Sequence, residues 1–108
     1  MAVDAGREMK AKLRGDMRAA MKDGRSVEVE VIRTLVTAID NAEAPPIDAV
    51  NSSVKVEPLV LSSPQVRLVI MEEVHERERA AAELERLEKA DRAEALRAEA
   101  RLAKRYVE

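Results

Sequence analysis

The 108-residue sequence contains no cysteine, phenylalanine or tryptophan, and only one tyrosine and one histidine. Without cysteine there is no disulfide framework, thiol nucleophile or Cys-based zinc site, which is compatible with a reducing cytoplasm. With Tyr106 as the sole aromatic, the core has to be built from Leu, Ile, Val, Met and Ala. It forgoes the large burial that rings supply, and base stacking is disfavoured as a binding mode. The three glycines, Gly6, Gly15 and Gly24, are scattered, so there is no glycine-rich phosphate loop and no Gly-x-Ser-x-Gly elbow. No apolar run approaches the roughly 20 residues of a membrane span. The first residues have no apolar h-region, so a signal peptide is not expected. A net charge of −2 argues against a globally basic nucleic-acid binder and leaves only local patches to consider.

What is abundant is charge, at 37% of residues, set among Ala, Leu, Glu and Arg. That composition points to helices with solvated faces. A single domain this small is expected to be modestly stable alone, or helped by a partner. Residues 31–43, VIRTLVTAIDNAE, organise the rest. Val31, Ile32, Leu35, Val36, Ala38, Ile39 and Ala42 cover well over half of a helix circumference on a 3.6-residue period. Glu30, Arg33, Thr34, Thr37 and Asn41 form a narrow polar strip. A helix this apolar needs neighbours on two sides.

The flanking sequence supplies them. Asp4 is placed to cap a first helix running to about Asp23, with Gly24 to end it. Met9, Leu13, Met17, Ala20 and Met21 form its apolar stripe. Arg7, Lys10, Arg14, Arg18, Lys22 and Arg25 recur every three or four residues beside it. The plain reading of this basic stripe is snorkelling stems at the edge of the core. The functional reading is a phosphate-tracking ridge, with Asp16 and Asp23 interrupting its field. Ser26 is expected to cap the central helix. Val27, Glu28, Val29, Glu30 and Val31 alternate as a strand would, but the 3.6 period that follows and the short connection after Gly24 favour a helical hairpin. Pro45 and Pro46 end it.

Residues 44–63 read as a long connection, mainly irregular linker, with 54–56 and 59–61 as apolar pieces that could instead form a strand or flap. Ser63-Pro64 is expected to start a third helix running to about Lys89. Its inward line is Val66, Val69, Ile70, Val74, Ala81, Leu84 and Leu87, with Arg77 marking where the helix leaves the core. Asp91 is placed to cap a fourth helix to about Val107, with Ala95, Leu96, Leu102, Ala103 and Tyr106 inward. No Gly or Pro separates the third and fourth helices, so one continuous helix is the alternative to the preferred break.

Chemistry is sparse. Glu72 and His75 have the Glu-x-x-His spacing of di-iron helical bundles, but those sites need a second such pair and two further glutamates. The plainer reading is a solvated face of Glu72, Glu73, Glu76, Arg77 and Arg79 with charge pairs three or four apart. Nothing supports a Ser-His-Asp arrangement. No catalytic residue, metal ligand or cofactor is assigned.

Three segments, LRGDMRAAMKDG, VIRTLVTAIDNAEA and EVHERERAAAELERLEKADRAEALRAEARLAKRY, together resemble the YqeY-like family, which is similar to the tail of the GatB subunit of the tRNA-dependent Asp/Glu amidotransferase. Leu13, Asp16, Ala20, Met21 and Lys22 fit the family's charged first helix. Ile32, Arg33, Leu35, Ala38, Ile39, Asn41, Ala42 and Glu43 answer its Leu-Arg-x-Leu-x-x-Ala-Ile-x-Asn-Ala-Glu motif. Glu73, Val74 and Arg77 match a later Glu-Val-x-x-Arg stretch, while Leu102 and Tyr106 roughly fit its end. The family's Gly-Arg between helices three and four is missing, the 45–63 connection is longer than expected, and the second helical subdomain of longer members is not in the sequence.

The resemblance implies an all-α, four-helix bundle-like domain with an antiparallel N-terminal helix hairpin and a long loop between helices two and three. It also implies a cytoplasmic, tRNA-associated binding module rather than an enzyme, since the family's amide-transfer chemistry sits in other domains. Arg7, Lys10, Arg14, Arg18, Lys22, Arg25 and Arg33 are the candidate nucleic-acid contacts. The alternative is a helical module that docks on another protein or on itself, through the Ala- and Leu-rich faces of helices three and four. A stand-alone amide-transferring enzyme would need a nucleophile and an acyl-phosphate site that the residues do not offer.

Overall fold

The computed structural model describes residues 3–45 and 57–108. The described residues form four α-helices, α1 (Ala5–Lys22), α2 (Ser26–Glu43), α3 (Ser63–Arg86) and α4 (Ala90–Lys104), followed by a 3-10 turn, Arg105–Val107. The described residues contain no strand, so the domain is all-α. None of these helices is long and apolar enough to cross a membrane.

The helix boundaries follow from local chemistry. Asp4 caps α1, its Oδ1 accepting from the Arg7 amide at 3.0 Å. The end of α1 is a Schellman turn: Arg25 N donates to the Ala20 carbonyl, Gly24 N donates to Met21, and Gly24 takes φ +73°. Ser26 does not cap α2. It is the first helical residue, and the cap position, Arg25, makes no side-chain bond. The α3 cap is Ser62 rather than Ser63. Its Oγ accepts from Gln65 N while Gln65 Oε1 accepts from Ser62 N, a full capping box with Pro64 in the first turn. The break before α4 is real. Lys89 N bonds the Leu84 carbonyl and Glu88 N bonds Glu85, the same Schellman pattern, with Glu88 at φ +61° in the place usually given to glycine. Thus α3 stops at Arg86, short of Lys89. Asp91 lies in the first turn of α4 and Lys89 occupies its cap position without a side-chain bond.

The core is centred on α2, whose Val31, Ile32, Leu35 and Ile39 are at most 1% exposed. They meet Leu13 of α1, Val66, Ile70 and Val74 of α3, and Ala100 and Ala103 of α4. Full burial of each Leu or Ile contributes about 1.5–3 kcal/mol. The polar strip resolves as the solvent side of α2: Glu30, Arg33, Thr37 and Asn41 are exposed, and Thr34 is half-buried with its hydroxyl donating to the Glu30 carbonyl. On α3 and α4, Ala81 and Ala93 are fully buried.

Three inward assignments fail. Met21 of α1 is 58% exposed, Leu87 is 57% exposed, and Ala95 is also exposed. Met21 lies on the side of α1 nearest the basic face, Leu87 sits at the turn, and Ala93 rather than Ala95 fills the inner register. Arg77 does not mark an exit from the core either. Its side chain is 12% exposed and joins Glu73 of α3 to Glu99 of α4 at 3.4 and 3.2 Å.

Residues 46–56, including the apolar piece 54–56, lie outside the described residues. The return arm, 57–62, is irregular but not loosely held. Leu59 N donates to the Glu43 carbonyl, Leu61 accepts from Ala5 N, and Leu61 is buried. These two bonds and the buried Leu61 tie the arm to the bundle at defined points, while Leu59 and Val60 remain exposed.

Candidate nucleic-acid interface

On α1, residues advance by about 100° each. Arg7, Arg14, Arg18 and Lys22 therefore fall within an arc of about 80°, extending about 22 Å along the axis. All four are exposed, and none has an ion-pair partner among the described residues. The two carboxylates expected to interrupt the field are turned elsewhere. Asp16 projects on the opposite side of the helix, where it accepts from the Tyr106 hydroxyl at 2.6 Å and lies 3.5 Å from Lys12. Asp23 lies 3.3 Å from Arg25. Between Arg7 and Lys22 the outer face of α1 is thus a row of four cations with no carboxylate between them, Asp4 standing at its N-terminal end as the cap.

The other three candidates do not join that row. Lys10 is drawn to α2, with Nζ 2.8 Å from Asp40 and 2.5 Å from Glu43, and its side chain is only 15% exposed. Hydrogen bonds to Asp40 and Glu43 raise its pKa above the ordinary lysine value, outweighing the opposing effect of burial. Two of the three N–H donors of its ammonium, and its charge, are committed to the α2 carboxylates. Arg25 is held between Asp23 and Glu28, the latter at 2.8 Å. Arg33 pairs with Glu30 of its own helix at 2.5 Å. Each is neutralised by a neighbouring carboxylate.

Two interactions escaped the reading of the sequence. Lys10 and Glu43 are 33 residues apart and Tyr106 and Asp16 are 90 apart, so no local pattern links them. A signal for Glu43 does exist: it continues the i, i+4 line of Leu35 and Ile39, which places a carboxylate at the end of a buried stripe. Tyr106 is half-buried, and its phenol is held well above its ordinary pKa, chiefly by burial and then by the bond to Asp16.

Elsewhere, Glu72 and His75 are both exposed on α3. Among the described residues no group of three or more His, Asp or Glu is placed to hold a metal ion. Ala81 of α3 and Ala93, Ala100 and Ala103 of α4 are buried within the domain, so much of the small-residue surface proposed for partner helices is already covered. Compared with protein-family models, curated proteins and solved structures, the chain matches none.

Proposed function

We propose that this chain is a tRNA-associated binding module of the YqeY-like type, engaging the phosphate backbone through the outer face of α1. The observation that carries this reading is the unpaired row of Arg7, Arg14, Arg18 and Lys22. Cations without carboxylate partners can replace the counterions condensed on a nucleic acid, whereas Lys10, Arg25 and Arg33 would first have to give up an ion pair. Contacts of this kind read backbone and shape rather than base identity, which suits a chain with one aromatic residue. The same reading takes the domain as bundle-like with an antiparallel N-terminal hairpin, supported by Lys10 near the start of α1 reaching Asp40 and Glu43 near the end of α2. It also takes the chain as cytoplasmic, in keeping with the absence of cysteine.

A titration against tRNA at rising salt tests it. Binding at low salt that weakens steeply with salt, and is lost in an Arg14→Glu, Arg18→Glu variant, is the expected result. No binding at low salt, or binding indifferent to that variant, would sink the proposal. A second reading, a protein-protein module docking on another protein or on itself, draws on the exposed Met21, Leu68 and Leu87 side chains. Light scattering showing a strict monomer, together with no captured partner, counts against it.

A further inference from the structure

Two of the three glycines answer to the fold, and the third does not. Gly24 takes a φ of +73° in the turn after α1, and Gly6 makes room for the Glu43 carboxylate. Gly15 lies in the interior of α1 with helical backbone, where glycine is the least favoured residue after proline. Beyond its own helix backbone, a Cβ built on it meets only the Arg18 guanidinium among the described residues. Arg18 Nη2 would lie 3.8 Å away, an ordinary contact distance. Among the described residues, therefore, neither a turn, a neighbouring helix nor a core side chain calls for glycine at this position.

The surroundings of Gly15 are those of the cationic row. At 100° per residue it stands about 60° around α1 from Arg18 and about 20° from Lys22, at the edge of the arc that carries Arg7, Arg14, Arg18 and Lys22. The Arg18 guanidinium lies back along α1 toward residue 15 and has no ion-pair partner among the described residues. Its planar fork of N–H groups matches the oxygens of a phosphate. A side chain on residue 15 would occupy the flank from which a phosphodiester reaches that fork. Glycine is the residue that lets a ligand come close to a backbone.

Given the phosphate-binding reading of the α1 row, on which this rests, we infer that Gly15 is a positioning residue for RNA. It marks the closest approach of the RNA backbone to α1, where the missing side chain lets one phosphate reach Arg18 against the helix.

The test is a tRNA titration at several salt concentrations with the unaltered chain, Gly15→Gln, Arg18→Gln and the two combined. Ala82→Gln, at an exposed position on α3, supplies the same side chain elsewhere. Gly15→Gln exchanges one uncharged residue for another of better helix propensity, so Tm should rise by about 4 °C. Affinity for tRNA should nevertheless fall about tenfold, the effect of losing one charge-assisted hydrogen bond. The slope of log K against log salt should lose about 0.7–0.9 in magnitude, as though a cation had been removed. In the Arg18→Gln background the same change should cost little further, because the shared contact is already gone. Unchanged affinity in Gly15→Gln, an equal loss in Ala82→Gln, or a full further loss on top of Arg18→Gln would overturn the role of Gly15 and leave the α1 row standing. A lowered Tm in Gly15→Gln would do the same, since the glycine would then serve the fold. Absence of binding by the unaltered chain at low salt would remove the row and Gly15 together.

Discussion

Glu43 stands where a side chain on residue 6 would have to go: its Oε2 lies 2.5 Å from the position of a Cβ built on Gly6. The carboxylate has little room to retreat. Its other oxygen accepts from Lys10 Nζ at 2.5 Å, and Ile39 Cγ2 lies 3.5 Å from the same Cβ position. The absence of a side chain on one helix thus lets a buried carboxylate of another sit beside the first turn of α1, where the helix dipole favours negative charge.

Gly6→Ala should accordingly change sign with its background. Alanine improves helix propensity by up to about 1 kcal/mol, but displacing Glu43 from Lys10 forfeits a charge-assisted bond of about 1.5–3 kcal/mol, for a net loss near 1 kcal/mol. In a Glu43→Ala background the obstacle is gone, and the same substitution should stabilise by about 0.5–1 kcal/mol. Urea denaturation of the four proteins of this cycle measures both effects. Additive effects would show that Gly6 and Glu43 are not in contact.

Stability should fall at alkaline pH, and two groups set where. Lys10 and Tyr106 both have folded-state pKa values raised above their ordinary values of 10.5 and 10.0. The folded chain therefore holds these protons more tightly than the unfolded chain. Their contribution is fully present below about pH 10 and is lost as pH rises through the folded-state values. Thermal melts from pH 8 to 11.5 should show a decline in Tm that Lys10→Met and Tyr106→Phe each make shallower. Because Tyr106 is the only tyrosine, phenolate absorbance reports its ionisation directly. Ionisation near pH 10 in the folded chain would contradict the buried bond to Asp16.

The α3–α4 turn holds a non-glycine residue in a left-handed conformation, Glu88 at φ +61°. Relieving the Cβ clash is worth about 1–2 kcal/mol, offset by the greater backbone freedom of glycine in the unfolded chain. Glu88→Gly should therefore stabilise the domain by about 0.5–1 kcal/mol. The equivalent turn after α1 already has Gly24 at φ +73°, so Gly24→Glu should destabilise by a similar amount. Thermal or chemical melts of both variants check the pair, and a Glu88→Gly chain no more stable than the parent would argue against the turn.

If the outer face of α1 binds RNA, the salt dependence should count its cations. Four phosphate contacts give a slope of log K against log salt of about −3, and neutralising one of them lowers its magnitude by about 0.7–0.9. Single Gln substitutions at Arg7, Arg14, Arg18 and Lys22 should each do so. Gln at Arg25 or Arg33 should leave the slope unchanged, because those guanidinium groups are already paired. Lys10→Gln should lower stability and not the slope. Equal effects at all seven positions would mean that diffuse charge, not this row, governs binding.

Much of the architecture is legible in the residues because it rests on local rules. The period of Val31, Ile32, Leu35 and Ile39 marks a two-sided helix, Asp4 caps α1, and Gly24 ends it. The errors cluster where local rules have competing solutions one or two residues apart. Ser62 and Ser63 both resemble caps before Pro64, and only Ser62 has Gln65 three residues on to close the box. Ala93 and Ala95 are equally small, and helix-to-helix register alone selects Ala93.

The candidate site divides in the same way. Periodicity alone places Arg7, Arg14, Arg18 and Lys22 on one face, since it follows from 3.6 residues per turn. It also groups Lys10 with them, and there the inference fails. Whether a cation is available depends on carboxylates brought near by folding, and Asp40 and Glu43 reach Lys10 from a helix 30 and 33 residues away. Sequence determined the helices, their apolar stripes and the spacing of the charges, because these depend on neighbours within two turns. Tertiary structure decided which charges are spent and which remain free, because an ion pair forms only where two separate segments are brought within a few ångströms.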